Sequence, residues 1–168
     1  MTDWQVRNYQ DGDEAKLNDV AVAAFSQYQN DFVNWSDLKQ HLRCFGELAS
    51  THSVKVIDTP SGIAAGVVYV SAEEKRAEHF PDNVPIVRML VVDPAYRGRG
   101  FGRTLMQVCI EQAKRDKVPA IALHTSHIME VALSMYLRMG FQHYGPAPTN
   151  RGVEYAVYLK KLNSDDSL

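Results

Sequence analysis

The chain has 168 residues, of which 18 are lysine or arginine and 20 are aspartate or glutamate, so its formal net charge is −2. A surface that binds DNA or RNA needs an excess of positive charge, and we therefore expect no nucleic-acid partner. Hydrophobic residues make up 45% of the chain and charged residues 23%, which is typical of a folded globular protein and excludes a disordered or fibrous one. The two cysteines, Cys44 and Cys109, follow no CxxC or zinc-binding pattern. We therefore expect no metal site, no disulfide, and a reducing, cytoplasmic location.

The apolar segments are short. The longest, such as residues 63–70, fall far below the ~20 residues that cross a membrane as a helix. The first residues, Met-Thr-Asp-Trp-Gln, lack the basic start and the apolar run of a signal peptide. We therefore expect one globular domain over residues 1–162, a polar C-terminal tail over residues 163–168, and no membrane partner.

The first half of the chain predicts a strand, two helices and a β-hairpin. Residues 4–9 alternate between apolar and polar side chains, as in a strand. Apolar residues then recur at helical spacing from Glu14 onward, and Ser36 is a suitable N-cap for a second helix. Residues 53–70 predict a hairpin, because two β-branched runs flank a Thr-Pro-Ser-Gly turn. The apolar stripe of the second helix is formed by Leu38, Leu42, Phe45 and Ala49.

The second half alternates strands with helices. A loop is expected over residues 72–85, where charged residues dominate. Gly140 is expected to end the last helix, and a Gly/Pro/Asn-rich loop over residues 145–152 is expected to join the last two strands. This alternation predicts a mixed α/β fold, in which helices flank a central sheet. The expected elements are a strand over 86–92, a helix over 101–115, a strand over 119–125, a helix over 130–139, and strands over 141–144 and 153–160.

A segment rich in glycine and arginine carries the clearest chemical signal. Residues 90–103 run from a buried strand through Asp-Pro and three glycines into a helix. Glycines allow positive φ and let a ligand approach the backbone. The unpaired N–H groups at the start of a helix attract an anion, and Arg97, Arg99 and Arg103 add cationic donors. The segment therefore predicts a binding site for a pyrophosphate.

Three kinds of phosphate-binding loop can be compared with this segment. A dinucleotide-binding loop has G-x-G-x-x-G spacing, whereas Gly98, Gly100 and Gly102 follow G-x-G-x-G, and the next strand ends without an acidic residue for a ribose. A P-loop requires Gly-Lys-Ser/Thr, whereas Arg-Thr follows the last glycine. The pattern that fits is R-x-x-G-x-G, with Arg97, Gly100 and Gly102.

With these residues, the sequence resembles the GCN5-related N-acetyltransferase (GNAT) family. The coenzyme A loop of that family is Arg/Gln-x-x-Gly-x-Gly/Ala, after a strand written L-x-V-x-P, which Leu90, Val92 and Pro94 match. The resemblance implies a three-layer GNAT-like fold. Its sheet would be mixed, mostly antiparallel and splayed between strands 4 and 5, with about four flanking helices. A second block of the family, A-x-x-x-Y-x-x-x-G-F, is matched by Ala132, Tyr136, Gly140 and Phe141.

The resemblance also implies how acetyl-CoA would bind. Backbone groups of the splayed fourth strand would pair with the pantetheine arm, and the loop and helix start would bind the pyrophosphate. Tyr136 stands where many members keep a tyrosine that acts as general acid for the departing thiolate. This role is chemically reasonable, because a phenol of pKa ~10 can hydrogen-bond to a thiolate. The implied cofactor-binding residues are Leu90, Val91, Val92, Arg97, Gly98, Arg99, Gly100, Phe101, Gly102 and Arg103.

Two positions depart from the family pattern. Many members place a glutamate base two residues before the leucine of the fourth strand, and this chain has Arg88 there. Many members have an asparagine three residues before the alanine, and this chain has Met129. An arginine cannot act as a base near neutral pH, so the base is unassigned. Arg88 either forms a salt bridge with Glu78 or Asp82 or contacts an anionic group of the acceptor.

The acceptor side is expected to involve aromatic and basic residues. Tyr28, Phe32 and Trp35 lie near the connection between the first two predicted helices, which form one wall of the acceptor site in this family. A chain of waters that removes the amine proton is an alternative to any single base. The substrate-binding residues implied are Arg88, Tyr28, Phe32 and His124. The candidate bases are His124 first, and then His79, Glu78 and Glu154.

The sequence therefore predicts an acetyl-CoA-dependent N-acetyltransferase that transfers an acetyl group directly to a primary amine of a small molecule or a peptide. No metal is expected, and a homodimer is compatible with the sequence. The alternative from another class is a non-catalytic, acyl-CoA-binding regulatory module, which would have kept the pyrophosphate site and lost the base.

Overall fold

The computed structural model of the chain describes residues 3–162, so the tail expected over residues 163–168 lies outside the described residues. Within that range, no helix is long and apolar enough to cross a membrane. The helices are α1 (Glu14–Phe25), α2 (Trp35–Leu42), α3 (Phe45–Thr51), α4 (Phe101–Arg115) and α5 (Glu130–Arg138). The strands are β1 (Gln5–Asn8), β2 (Ser53–Thr59), β3 (Gly62–Val70), β4 (Ile86–Val92), β5 (Ala120–Thr125), β6 (Gln142–Asn150) and β7 (Val153–Lys161).

The strands form one sheet in the order β1-β2-β3-β4-β5-β7-β6. Neighbouring strands are antiparallel, except for β4 and β5, which are parallel. This mixed, mostly antiparallel sheet with helices on both faces confirms the predicted fold class.

Two hydrophobic layers cover the sheet. On one side, which we call the α1 face, α1, α2 and α3 pack against strand residues such as Val56 and Val68. On the other side, which we call the α4 face, α4 and α5 pack Phe101 and Tyr136 against the strands. Successive side chains of a strand point to opposite faces. A central strand is therefore buried on both sides, which explains why residues 63–70 are apolar or glycine at every position.

The predicted second helix is in fact two helices, α2 and α3. The N-cap of α2 is Asn34 rather than Ser36, which is already the second helical residue. Asn34 has a φ of +58°, and its side-chain oxygen accepts a hydrogen bond from the N–H of Asp37 at 3.2 Å. Asparagine adopts this left-handed conformation more readily than serine does. The apolar stripe was predicted correctly as buried, since Leu42 and Phe45 both lie in the core on either side of the break.

The predicted loop over residues 145–152 was wrong, because most of it is strand. β6 continues to Asn150, and the turn to β7 has only two residues, Arg151 and Gly152. Both residues have positive φ, +45° and +84°, as a two-residue type I′ hairpin turn requires. Pro146 and Pro148 suggested a loop because a proline cannot donate a ladder hydrogen bond. They fit here because β6 is the outermost strand, where one side of the backbone needs no partner.

The parallel strands β4 and β5 diverge along their length. In the described chain, their ladder contains a single residue pair, Ile86 opposite Ala122, next to a hydrogen bond from the Ala122 N–H to the Pro85 carbonyl at 3.0 Å. The register of β4 against β3 shifts beyond this point, and Met89 there has a φ of +51°. A bulge of this kind bends and twists a strand. The splay implied by the resemblance is therefore present, and it opens a cleft between β4 and β5.

Candidate active site

The backbone of β4 presents hydrogen-bonding groups to this cleft. The Asp93 N–H bonds to the Ala64 carbonyl of β3 at 2.8 Å. Because backbone groups alternate sides along a strand, those of Leu90 and Val92 point the other way, toward β5, where the ladder has stopped. Val91 has its backbone toward β3 and its side chain buried on the α1 face. The structure therefore brings Leu90 and Val92 to the cleft but not Val91.

The glycine loop leads directly into the N-terminus of α4. Gly98 and Gly100 have φ values of +81° and +80°, a conformation that other residues adopt at a cost. Gly100 is the N-cap, and the first helical hydrogen bond runs from the Thr104 N–H to its carbonyl at 2.9 Å. The N–H groups of the first three helical residues, 101–103, therefore have no acceptor inside the helix. They and the helix dipole form a site for an anion.

Aromatic packing holds this loop in place. The Tyr96 ring stacks on the Phe101 ring with centroids 5.8 Å apart, and Trp4 packs edge-on against Phe101 at 5.1 Å. The Tyr96 hydroxyl lies 3.2 Å from the hydroxyl of Thr59 on β2. The Phe101 side chain is only 2% exposed. Phe101 was predicted to bind the cofactor. Because its side chain is buried and anchors the loop, only its backbone N–H is available to a ligand.

Three arginines surround the loop. Arg97, Arg99 and Arg103 are all exposed, and none of them forms a salt bridge with a described residue. The Arg99 guanidinium lies 4.9 Å from the centre of the Tyr96 ring, which is a cation–π contact. These cations add to the N–H groups of α4, so the loop can accept a multiply charged anion.

Tyr136 belongs to α5 and lies in the hydrophobic layer of the α4 face. Its ring is buried and packs against Phe141 at 5.9 Å. Its hydroxyl forms no hydrogen bond with a described residue, yet it is not among the buried polar atoms that lack a partner. Burial raises the pKa of Tyr136 above its ordinary value, with a smaller effect from Tyr28. The hydroxyl is therefore protonated at neutral pH and able to donate a hydrogen bond.

Arg88 and His124 face each other across the cleft on the α1 face. Ile86 and Ala122 are opposite each other, and both pack on the α1 face. Arg88 and His124 each lie two residues further along, so they share that face. Arg88 is exposed, and its predicted alternative, a salt bridge with Glu78 or Asp82, is not formed in the described structure.

His124 lies at the centre of a row of four rings, which we call the ring row. It is 5.4 Å from Phe80 and 5.0 Å from Tyr155, between ring centroids, and it stacks on His79 at 6.2 Å. Desolvation among these rings lowers the pKa of His124 to about 4, with smaller contributions from His79 and from the charge of Arg88. The side chain is nevertheless open to solvent, as expected on the floor of a cleft.

In residues 3–162 no group of three or more His, Cys, Asp or Glu residues is arranged to hold a metal ion.

The ring row was only partly predicted. Sequence reasoning singled out His79 and His124 but missed Phe80 and Tyr155, because no local pattern links them. Phe32, which was predicted to bind the substrate, is only 5% exposed and belongs to the core on the α1 face. It supports the wall of the cleft and offers little surface to a ligand. Tyr28 was predicted alongside it and is half-buried; burial raises its pKa and the nearby charge of Arg97 opposes this.

A second feature that the sequence did not reveal is the role of Arg76. Residues 71–85 form turns without a helix or strand, as predicted. The Arg76 guanidinium donates hydrogen bonds to five backbone carbonyls of this segment. It therefore fixes the conformation of the loop that carries His79 and Phe80 to the ring row. The carbonyls belong to Ser71, Ala72, Glu74, Pro81 and Val84.

The splayed parallel strands lead to a glycine loop and a helix N-terminus, an arrangement that can accept a phosphate-bearing ligand. The chain belongs to the acetyltransferase (GNAT) family, because the model of that family matches residues 16–141. The family uses acetyl-CoA as its acetyl donor.

Two curated proteins with similar sequences are acetyltransferases. N-alpha-acetyltransferase RimI of Mycobacterium tuberculosis is 34% identical over 99 residues, which are 59% of this chain and 58% of the relative. Mycothiol acetyltransferase of Acidothermus cellulolyticus is 29% identical over 100 residues, which are 60% of this chain and 28% of the relative. In both cases the match spans less than two thirds of the relative.

Solved structures share the fold over nearly the whole chain. The PaiA N-acetyltransferase of Thermoplasma acidophilum, in complex with coenzyme A, has a TM-score of 0.76 at 16% identity, over 96% of this chain and 100% of that one. A GNAT-family acetyltransferase of Staphylococcus aureus Mu50 has a TM-score of 0.74 at 17% identity, over 95% and 99% of the two chains. At these identities the likeness concerns the fold alone.

Proposed function

We propose that this protein is an acetyl-CoA-dependent N-acetyltransferase that transfers the acetyl group directly to a primary amine of a small molecule or a peptide. The observation that carries the proposal is the cleft between β4 and β5, which has free backbone groups along one side and the N-terminus of α4 at its end. We also propose that residues 1–162 form one acetyltransferase domain and that the protein acts in the cytoplasm. The names of the relatives support the reaction class, and they differ in the acceptor.

The donor would lie along the cleft. Its pyrophosphate would accept hydrogen bonds from the N–H groups of residues 101–103 and from the loop arginines. Its pantetheine arm would extend β4 by pairing with the backbone of Leu90 and Val92, as a short extra strand does. The thioester would then lie between Tyr136 on the α4 face and the ring row on the α1 face.

In the transfer step, the neutral amine attacks the thioester carbonyl, so that a C–N bond forms and the carbonyl oxygen becomes an oxyanion. A free N–H of β4, at Leu90 or Val92, stabilises that oxyanion. When the C–S bond breaks, the electron pair leaves on sulfur as a thiolate. The Tyr136 hydroxyl donates a hydrogen bond to this thiolate and passes its proton to it, and the tyrosinate then regains a proton from water, so that coenzyme A leaves as the thiol and Tyr136 is restored.

The proton of the attacking amine leaves through water. His124 was the first candidate base, but a group with a pKa of about 4 is a weak base at neutral pH. Arg88 occupies the position where many family members have a glutamate, and it carries no lone pair to accept a proton. We therefore assign His124 to the wall of the acceptor site, and we propose that the amine enters neutral and loses its proton to solvent in the open cleft.

Calorimetry with acetyl-CoA, followed by an assay of thiol release with a panel of amines, tests the proposal. We expect acetyl-CoA to bind and at least one amine to release coenzyme A. Absence of heat with acetyl-CoA would overturn the assignment.

The loss of the family's glutamate at Arg88 favours a second candidate, a regulatory module that binds acyl-CoA without turnover. Donor binding without thiol release on amines, peptides and aminoglycosides would select that candidate.

A further inference from the structure

Arg88 lies in the middle of β4, on the α1 face beside the cleft, and its side chain is exposed. Its position follows from the register, because it lies two residues beyond Ile86, whose partner Ala122 lies two residues before His124. The strands have already separated at this level, so Arg88 and His124 line opposite sides of the opening. A ligand that enters the cleft from the α1 face would therefore meet the Arg88 guanidinium before it meets the thioester.

The charge of Arg88 is uncompensated in the described structure. No described carboxylate lies within salt-bridge distance of its guanidinium. Its positive charge acts on two neighbouring elements: it opposes the rise that burial causes in the pKa of Cys44, between α2 and α3, and it adds to the lowering of the pKa of His124 on β5. A guanidinium without a carboxylate partner is a ready donor for an anion, and its planar fork can bind both oxygens of a carboxylate.

We propose that the acceptor is a primary amine that also carries a carboxylate, and that Arg88 binds this carboxylate at the α1-face entrance of the cleft. The inference rests on the proposed acetyltransferase function and narrows its class of acceptor. The carboxylate holds the acceptor so that its amine points toward the thioester.

The number of cations favours a carboxylate over a phosphate. Arg88 is the one lysine or arginine residue of the described strands β4 and β5, and the lowered pKa of His124 leaves its imidazole uncharged at neutral pH. One guanidinium neutralises a carboxylate and can bind both of its oxygens through parallel N–H groups. A phosphate monoester has about two negative charges at neutral pH, and one of them would remain uncompensated.

Matched pairs of acceptors test the proposal. The eighteen common α-amino acids that have a primary amine and no thiol are compared with their carboxamides for kcat/KM in the thiol-release assay, and phosphoethanolamine is compared with ethanolamine. We expect the best amino acid to exceed its carboxamide by about 10- to 100-fold, as the loss of a charged hydrogen-bonding pair implies. This preference would run against intrinsic reactivity, since the amine of a carboxamide is less basic and a larger fraction of it is neutral.

Variants connect the preference to Arg88. Arg88→Gln should remove the preference for the carboxylate while the affinity for acetyl-CoA stays unchanged, and Arg88→Lys should keep part of it. Arg115→Gln, which removes an exposed arginine of α4 that bonds to Gln112, should behave as wild type. Equal kcat/KM for each acid and its carboxamide, a preference that survives Arg88→Gln, or a larger preference for phosphoethanolamine would overturn the proposal.

A binding measurement separates this proposal from the acetyltransferase function. Calorimetry follows the binding of the same amino acids and carboxamides to the protein saturated with coenzyme A, where no acetyl transfer occurs. Carboxylate-selective binding that Arg88→Gln abolishes, without any turnover, would retain the anion site and reject the enzyme. Turnover of amines without such selectivity would retain the enzyme and reject the anion site.

Discussion

At the scale of single residues, Tyr136 combines a buried ring with a hydroxyl that forms no hydrogen bond with a described residue. The ring is held by α5 and Phe141, so the hydroxyl has a defined position without a hydrogen bond. The hydrophobic surroundings keep it protonated, because burial raises its pKa. A donor that is rigid, neutral and without a partner is suited to a thiolate that forms only during the reaction.

Removal of that hydroxyl tests its role. We expect Tyr136→Phe to lower kcat by about 10- to 1000-fold and to leave the Kd of acetyl-CoA unchanged, because the ring still fills its site. Steady-state kinetics and calorimetry measure the two quantities. Tyr144→Phe is the matched control, since Tyr144 is an exposed tyrosine of β6. An unchanged kcat in Tyr136→Phe would remove the residue from the mechanism.

His124 makes stability depend on pH. Its pKa is lowered from 6.5 to about 4 in the folded protein, so between these values the unfolded chain binds more protons than the folded one. The free energy of unfolding therefore falls as the pH is lowered from about 6.5 toward 4. We expect urea unfolding of His124→Gln to show a weaker loss of stability between pH 7 and pH 4.5. Above pH 7 the imidazole is neutral in both states, and the difference between the two proteins should stay constant; parallel curves across the acid range would contradict the assignment.

At the scale of elements, the loop between β3 and β4 has its conformation set by one side chain. Arg76 replaces the backbone hydrogen bonds that a helix or strand would have supplied, since it donates to five carbonyls within the segment. Such a loop is ordered although it has no regular secondary structure. Its order matters for function because it presents His79 and Phe80 to the ring row.

We expect Arg76→Ala to accelerate amide hydrogen exchange over residues 71–84 and to raise the KM for the acceptor more than it lowers kcat. The reason is that the loop would sample open conformations in which the ring row is incomplete. Exchange followed by mass spectrometry and steady-state kinetics measure both effects. Lys75→Ala changes the neighbouring exposed residue and should leave protection unchanged. If residues 71–84 keep wild-type protection in Arg76→Ala, the loop is held by other contacts.

At the scale of the whole molecule, an ion pair joins the N-terminal helices to the last hairpin. Arg151, in the β6–β7 turn, donates to the Asp37 carboxylate of α2 at 2.5 and 3.1 Å, and its carbonyl accepts from the Val33 N–H at 2.8 Å. The partners are 114 residues apart in the chain. The ion pair therefore connects α2, near the start of the chain, to the β6–β7 turn near its end.

A double-mutant cycle tests this connection. We expect Asp37→Asn and Arg151→Gln to destabilise the protein less in combination than the sum of the single changes, as measured by urea unfolding at pH 7. The Arg151 side chain is 21% exposed and that of Arg43, in the Arg43–Asp19 pair, is 48% exposed, so a control cycle on that pair should give a smaller coupling. Arg151 lowers the pKa of Asp37 below its ordinary value of 3.8. The coupling between Asp37 and Arg151 is therefore fully present above pH 3.8, and it is lost as the pH falls through the lowered pKa of Asp37. Additive effects at pH 7 would show that the pair does not couple the two ends.

The sequence by itself determined the features that depend on neighbouring residues. The positive φ values at Gly98 and Gly100, and the start of α4 that follows them, are local requirements that glycine meets. The periods of 2 and 3.6 residues identified β2 to β5, α1, α4 and α5, because a half-buried strand or helix must place its apolar residues at those spacings. Local signals were wrong at two places: the prolines of the outermost strand β6 suggested a loop, and one predicted helix is in fact α2 and α3.

Tertiary structure alone decided which distant residues meet. Arg88 and His124 face one cleft because β4 and β5 are parallel neighbours that separate after a single residue pair, and Tyr155 joins His124 because β7 pairs with β5. The network of Arg76 and the pair between Arg151 and Asp37 depend in the same way on how loops fold back. Periodicity reports which face of an element is buried, but the partner across that face depends on the order and register of the strands, which no short stretch of sequence encodes.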